Sequence, residues 1–226
     1  KSTLTNALVG QKVAITSSRP QTTRTVVRGI VHRPHGQLIL VDTPGLHRPR
    51  TLLGQRLNDL VRTTWGEVDV VAICFPADEK IGPGDRFIVT ELAKVRQSVK
   101  FAIATKTDLV TPERLAQHLL DIAELERESC TRFAEIVPVS AVSGDQVGLL
   151  EELLLKQLPP GPPLYPDGEL SDTPEETLVA ELIREAALEG VRDELPHSIA
   201  VLVEEMGMRP KRPKDKPLLD ILAYLY

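Results

Sequence analysis

Along the first two thirds of the chain, short apolar runs alternate with segments whose apolar residues recur at helical spacing. Residues 26–31, 38–41, 68–74, 101–104 and 136–139 are predicted strands. Most are nearly continuous in apolar residues, as strands buried on both faces are. Helical patterns cover 2–9, 53–64, 85–96, 112–128 and 147–155. Repeated β-α order predicts an α/β fold with a largely parallel sheet. One connection differs. Arg33-Pro34-His35-Gly36 joins the first two strands and is too short for a crossover helix, so that pair is predicted to be an antiparallel hairpin.

The run Pro159-Pro160-Gly161-Pro162-Pro163-Leu164-Tyr165-Pro166 cannot continue a helix and stiffens the chain toward polyproline II geometry. It divides the expected organisation into a domain over 1–158, a linker over 159–172 and a second unit over 173–226. Thr173-Pro174-Glu175-Glu176 reads as a capping box opening a helix through Gly190, with Leu178, Val179, Leu182, Ile183 and Ala186 as its apolar stripe. A strand over 198–205, a basic loop over 207–216 and a last apolar run over 218–226 follow. One helix and two strands are too little for a stable domain. The chain also opens at Lys1, without Met and with a helical pattern already running, and is expected to be a cut piece.

Composition narrows the function classes. In 226 residues, 27 Lys and Arg face 32 Asp and Glu, a net charge of −5, so the surface as a whole is not a polyanion-binding field. Any nucleic-acid site must be local, and the acidic stretch over 166–206 is not one. The basic loop is read as a solvated connection. Cys74 and Cys130 have neither disulfide nor zinc spacing, which fits a reducing cytosol, and the five histidines show no ligand spacing. No apolar run approaches the roughly 20 residues of a membrane span. A cytoplasmic location is expected, with peripheral contact at the inner face of the membrane left open and a monomer as the default.

Candidate chemistry sits where the predicted strands end, the edge at which open α/β sheets bind ligands. Asp42-Thr43-Pro44-Gly45 offers a carboxylate that can hold Mg²⁺ through water and a glycine whose backbone can approach a terminal phosphate. Thr105-Lys106-Thr107-Asp108 offers an ionised Asp108 able to accept from both N1–H and N2–H₂ of guanine, a bidentate pair adenine cannot make. Lys106 would lay its stem along the base. Ser140-Ala141 offers a small residue beside a base edge. Each is weak alone. With Lys1-Ser2-Thr3 opening a helix and Gln21-Thr22-Thr23-Arg24 in a loop, they occur in the order of the GTPase motifs, in the expected strand and loop contexts.

The chain resembles the Era family of bacterial GTPases over essentially its whole length. Lys1-Ser2-Thr3-Leu4, Ser18-Arg19-Pro20-Gln21-Thr22-Thr23-Arg24, Asp42-Thr43-Pro44-Gly45-Leu46-His47 and Asp193-Glu194-Leu195-Pro196-His197-Ser198 carry the resemblance. It implies a P-loop GTPase fold followed by the first part of an α+β KH-like RNA-binding domain. The implied function is a GTP-binding, slowly GTP-hydrolysing switch that binds ribosomal RNA of the small ribosomal subunit during its assembly. Lys1, Ser2, Thr3, Thr23, Asp42, Thr43, Pro44, Gly45 and Leu46 would bind phosphates, with Ser2, Thr23 and Asp42 around Mg²⁺. Thr105, Lys106, Thr107, Asp108, Ser140 and Ala141 would bind guanine. The loop of Thr23 would order only with a γ-phosphate present.

Departures from the family pattern qualify this. The glycine-rich part of G-x-x-x-x-G-K-S and the first strand would precede Lys1, and the KH GxxG loop would lie beyond Tyr226. Thr105 replaces the usual Asn, lowering affinity while Asp108 preserves guanine choice. Leu46 stands where many GTPases carry a water-orienting Gln, so hydrolysis is expected to be slow and no catalytic residue is assigned. A GTPase subunit of a tRNA-modification system is the alternative, because such proteins share the Thr-Thr-Arg and Asp-Thr-Pro-Gly motifs. It should carry a catalytic cysteine or cofactor site in its other domain. A small-substrate phosphotransferase would have no use for Asp108.

Overall fold

The computed structural model describes residues 1–17, 22–46, 52–190, 199–210 and 216–226. In chain order the elements are α1 (Ser2–Val9), β1 (Val27–Arg33), β2 (Gly36–Asp42), α2 (Leu52–Glu67), β3 (Val70–Pro76), α3 (Pro83–Leu92), β4 (Val99–Thr105), a single 3₁₀ turn (Thr107–Leu109), α4 (Pro112–Ser129), β5 (Glu135–Pro138), α5 (Val147–Leu155), α6 (Glu175–Gly190), β6 (Val201–Met208) and β7 (Leu219–Leu225).

Strands β3, β4 and β5 form a parallel sheet in that order, Pro76 opposite Thr105 and Ala104 opposite Pro138. Alternate residues serve two cores. Val71, Ile73 and Phe75 of β3 and Ala102 and Ala104 of β4 pack with Val61 and Trp65 of α2, Val89 and Leu92 of α3, and Ile122 and Leu125 of α4. Phe101 and Ile103 of β4 and Val137 of β5 face Leu4 and Leu8 of α1 and Leu150 and Leu154 of α5. Phe75 and Phe101 are wholly buried on opposite sides, and truncating either to Ala is expected to cost about 3–5 kcal/mol.

Strands β1 and β2 pair antiparallel, as the short turn requires. They form a sheet of their own rather than continuing the parallel one. Between β2 and β3 lies an apolar slot of about 340 Å³, lined by Leu38 and Leu40 on one side and by Val70, Ala72 and Cys74 on the other. Cys74 is partly buried there, in keeping with a packing role. Gly29 of β1 is needed for packing, because a Cβ there would stand 2.7 Å from Val9 Cγ2 of α1.

Two expectations are corrected. The third helix ends at Leu92 instead of residue 96. After it, Lys94 and Val95 donate three residues back, to Glu91 and Leu92, and Ser98 Oγ donates to the carbonyls of Trp65 at 2.8 Å and Val68 at 2.7 Å, so the chain turns early into β4. The strand predicted over 198–205 runs from Val201 to Met208 and pairs antiparallel with β7. In α6 the apolar stripe is divided: Leu178, Val179 and Ile183 are half-buried and Leu182 and Ala186 are exposed, while Arg184, Glu185 and Leu188 are buried.

The proline-rich connection is fastened rather than free. Gln37 Oε1 accepts from the backbone N–H of Leu164 at 2.8 Å and of Tyr165 at 3.0 Å, and its amide donates to the Tyr165 carbonyl at 2.9 Å. Ile30 donates to the Leu170 carbonyl at 2.9 Å, and Gly29 bridges Ser171 antiparallel, so the connection lies along β1. Among the described residues no helix is long and apolar enough to cross a membrane.

Candidate nucleotide site

The site lies at the carboxyl edge of the parallel sheet. Lys1, Thr3, Thr43, Pro44, Gly45, Leu46, Thr105, Lys106, Asp108 and Ala141 line one cavity of about 640 Å³, so residues from separated stretches of sequence meet there. Thr107 lies in the adjoining 3₁₀ turn.

At one end, β4 delivers Thr105 and the chain turns sharply. Lys106 takes a left-handed conformation, φ 59°, sparse for a residue with a side chain. The turn is fixed by Leu109 N–H donating to the Lys106 carbonyl at 3.1 Å and by Lys106 Nζ pairing with Asp78 at 2.9 Å. Asp108 is thereby presented outward. Ser140, fully buried after β5, donates its hydroxyl to Asp108 Oδ1 at 2.6 Å and accepts from Ser143 N–H at 3.1 Å. One carboxylate oxygen is thus oriented from below while the group as a whole stays exposed.

At the other end, α1 begins at Lys1 with no side-chain cap and no acidic residue in its first turn. Its unpaired N–H groups and its dipole favour an anion at that point. Lys1 Nζ donates to the Thr43 carbonyl at 2.8 Å. Ser2 Oγ donates to Asp42 Oδ2 at 2.6 Å and stands 3.3 Å from Thr23 Oγ1. Two hydroxyls and a carboxylate therefore converge from three segments. Adjacent oxygens around an octahedral Mg²⁺, bound at about 2.0–2.1 Å, stand about 2.9 Å apart, so this oxygen set fits that ion. Among the described residues no atom lies within 4 Å of a Cβ built on Gly45, and the residue suits close approach of a phosphate. Leu46 is buried in the cluster that holds Val61 and Trp65 and presents no polar atom to a water.

Thr23 reaches its place through contacts the sequence did not suggest. Asn6 Oδ1 accepts from Val13 N–H at 3.0 Å and Ala14 N–H at 2.9 Å, turning the chain after α1. Glu185 of α6 then accepts from Thr16 N–H at 2.8 Å and from the Thr16 hydroxyl at 3.0 Å, and pairs with Lys12. Burial alone would raise the Glu185 pKa, but the bonds from Lys12 and Thr16 bring it below the ordinary glutamate value. Arg184 donates to the Thr22 carbonyl, and Arg24 donates to the Ile199 carbonyl at 3.1 Å. Burial, then the Arg184 charge, lowers the Arg24 pKa, with Glu181 opposing. Glu181, Arg184, Glu185 and Leu188 recur at helical spacing, which was the available signal in the sequence. Residues 18–21, His47, the Asp-Glu-Leu-Pro-His-Ser stretch at 193–198 and residues 211–215 of the basic loop lie outside the described residues.

The sequence pattern of the 50S ribosome-binding GTPase family matches residues 1–106. A GTPase Era from Nocardioides is 74% identical over 226 residues, covering 100% of this chain and 72% of that protein. The chain belongs to the Era family of GTPases. The Era GTPase of Streptomyces coelicolor is 69% identical over the whole chain and 71% of its own length. Among solved structures, Era in complex with MgGDPNP and nucleotides 1506–1542 of 16S ribosomal RNA superposes with a TM-score of 0.89 at 33% identity, covering 99% of this chain and 73% of that one. A point variant of Aquifex aeolicus Era bound to GDP.AlF4⁻ superposes with a TM-score of 0.88 at 32% identity, over 99% of this chain and 73% of that one. Era membership replaces the tRNA-modification alternative and fixes the class as a P-loop GTPase.

Proposed function

We propose that this chain carries a Mg²⁺-dependent guanine-nucleotide site, hydrolyses GTP to GDP slowly, and uses that cycle as a switch in assembly of the small ribosomal subunit by binding its RNA. The observation that carries the reading is the meeting of Ser2, Thr23 and Asp42 next to Lys1 and Thr43, which line one cavity together with Asp108, the carboxylate that Ser140 orients. An Era relative that binds MgGDPNP and 16S ribosomal RNA supports both halves.

In this site Asp108 accepts the N1 and N2 hydrogens of guanine, with Ser140 fixing its orientation. Thr105, Lys106, Thr107 and Ala141 frame the base. Lys1 exchanges the Thr43 carbonyl for phosphate oxygens, and the N-terminus of α1 adds its N–H groups. Ser2, Thr23 and Asp42 hold Mg²⁺, which when bound neutralises charge on the terminal phosphates. Thr43, Pro44 and Gly45 bring backbone to the γ-phosphate. Leu46 cannot orient a water, so attack relies on backbone positioning and the rate is low.

The division into a nucleotide unit over 1–158, a connection over 159–172 and part of a KH-like RNA unit over 173–226 belongs to the same proposal. The facing edges of β2 and β3 across an apolar slot support a further strand of the nucleotide unit between them. In this role the protein acts in the cytoplasm.

Titration of the intact protein with fluorescent GTP, GDP and ATP analogues in Mg²⁺ tests the reading. Guanine-selective binding is expected. Equal binding of ATP and GTP would remove Asp108 from the site.

A further inference from the structure

Two charged residues, Arg184 and Glu185, are buried on α6, and both hold the stretch of chain between α1 and β1 that carries Thr23. Arg184 is only 3% exposed. Its Nε donates to Glu181 Oε1 at 2.9 Å and its Nη2 to Glu181 Oε2 at 2.5 Å, a fork that fixes the plane of the guanidinium. The second hydrogen on Nη2 is then aimed at the Thr22 carbonyl, 2.8 Å away. On the far side of Thr23, Arg24 Nη1 reaches back to the Ile199 carbonyl just ahead of β6. Upstream, Thr16 and Lys12 end on Glu185.

Both chain neighbours of Thr23 are therefore tied to residues beyond the proline-rich connection, and in the same arrangement the Thr23 hydroxyl stands against Ser2. Ser2 and Asp42 sit on α1 and β2, whose places are set by the core. Thr23 lies on no helix or strand, so its place is set by what holds its ends.

Resting on the nucleotide-site reading above, we propose that Arg184 is a positioning residue: by holding the Thr22 carbonyl it keeps Thr23 at the metal position, so that docking of α6 and binding of Mg²⁺ with a nucleoside triphosphate favour one another. On that reading the loop of Thr23 orders with the third phosphate, so Thr23 would be the contact a triphosphate adds over a diphosphate. A group that places Thr23 acts on the affinity ratio of the two nucleotides. The coupling is reciprocal, and triphosphate binding tightens the hold of the nucleotide unit on α6 and β6.

The test is titration of the intact protein, in Mg²⁺, with a non-hydrolysable GTP analogue and with GDP, for wild type, Arg184→Ala, Arg184→Lys and Glu181→Gln. Arg184→Ala is expected to weaken the GTP analogue about tenfold while moving GDP by less than about twofold. Arg184→Lys should fail to restore the ratio, because an ammonium cannot hold the fork with Glu181. Glu181→Gln, which leaves the arginine in place, should shift the ratio the same way by about threefold, and it decides the matter if Arg184→Ala melts too low to titrate. Equal weakening of both nucleotides, or none of either, would overturn the coupling while leaving the site intact. Wild-type protein that binds neither nucleotide would overturn the site reading itself, and the coupling with it.

Discussion

In the proposed site, the side chains at the base end hang from the carboxyl edge of one parallel sheet, whereas the phosphate end gathers Ser2, Thr23 and Asp42 from three segments, one of them held from outside by α6. At the base end, Ser140 and Asp108 follow adjacent strands, and their 2.6 Å bond joins elements already fixed by shared hydrogen bonds and a common core. At the phosphate end, Ser2 and Asp42 meet through the packing of α1 on β1 and β2, and Thr23 depends in addition on Arg184 and Glu185, more than 160 residues away in sequence. In the proposed site, base choice therefore rests on elements of the parallel sheet and phosphate state on a segment held by side chains of α6. The two ends should fail differently when perturbed.

The largest effect is expected from Asp42→Asn, which removes the single carboxylate from the oxygen set around Ser2. The Mg²⁺-dependent part of GTP affinity should fall about 100-fold, and the loss should be the same for guanine and xanthine nucleotides, read by titration across Mg²⁺ concentrations. Selective loss of guanine affinity would mean the ends are not separable. Asp108→Asn should show the converse: guanosine nucleotides weaken by about 10–100-fold, xanthosine nucleotides gain, and the Mg²⁺ midpoint stays put. Unchanged guanine preference would place the base elsewhere. Ser140→Ala leaves Asp108 present but unoriented and should cost guanine affinity about tenfold at most, again with no change in Mg²⁺ dependence.

Glu185→Gln gives the smallest expected effect and sharpens the contrast through pH. The Glu185 carboxyl lies below its ordinary value when folded, so protons favour the unfolded chain. Its contribution is full above the unfolded glutamate value of about 4.3 and is lost as pH falls through the lower folded value. At neutral pH the variant should lose about 1 kcal/mol in urea unfolding, and that difference from wild type should shrink as pH falls below about 4. A difference that does not change with pH would detach Glu185 from Lys12 and Thr16.

Much of this was legible in the residues. The hydrophobic alternation marked β1 to β5 to within a few positions, because strands buried on both faces have little freedom in composition. Asp42, Gly45 and Asp108 stood out because strand ends in open α/β sheets leave few ways to present a carboxylate or a bare backbone. The end of α3 was misjudged, since a helical pattern does not report where Ser98 must turn the chain. The charged residues that α6 buries were not legible for a deeper reason. An amphipathic stripe predicts burial against an apolar partner, and here the partner is a run of backbone carbonyls and N–H groups that needs charged side chains to satisfy it.

What the sequence by itself determined is therefore the layered fold and the chemistry at each strand end, because both follow from local patterns of apolar, small and acidic residues. What only the tertiary structure decided is that Arg184 and Glu185 hold the segment of Thr23, and that the proline-rich connection lies fastened along β1. Those contacts pair side chains with distant main-chain atoms. Every residue carries the same peptide group, so a main-chain partner leaves no mark in the sequence, and only the fold can say which carbonyl an arginine meets.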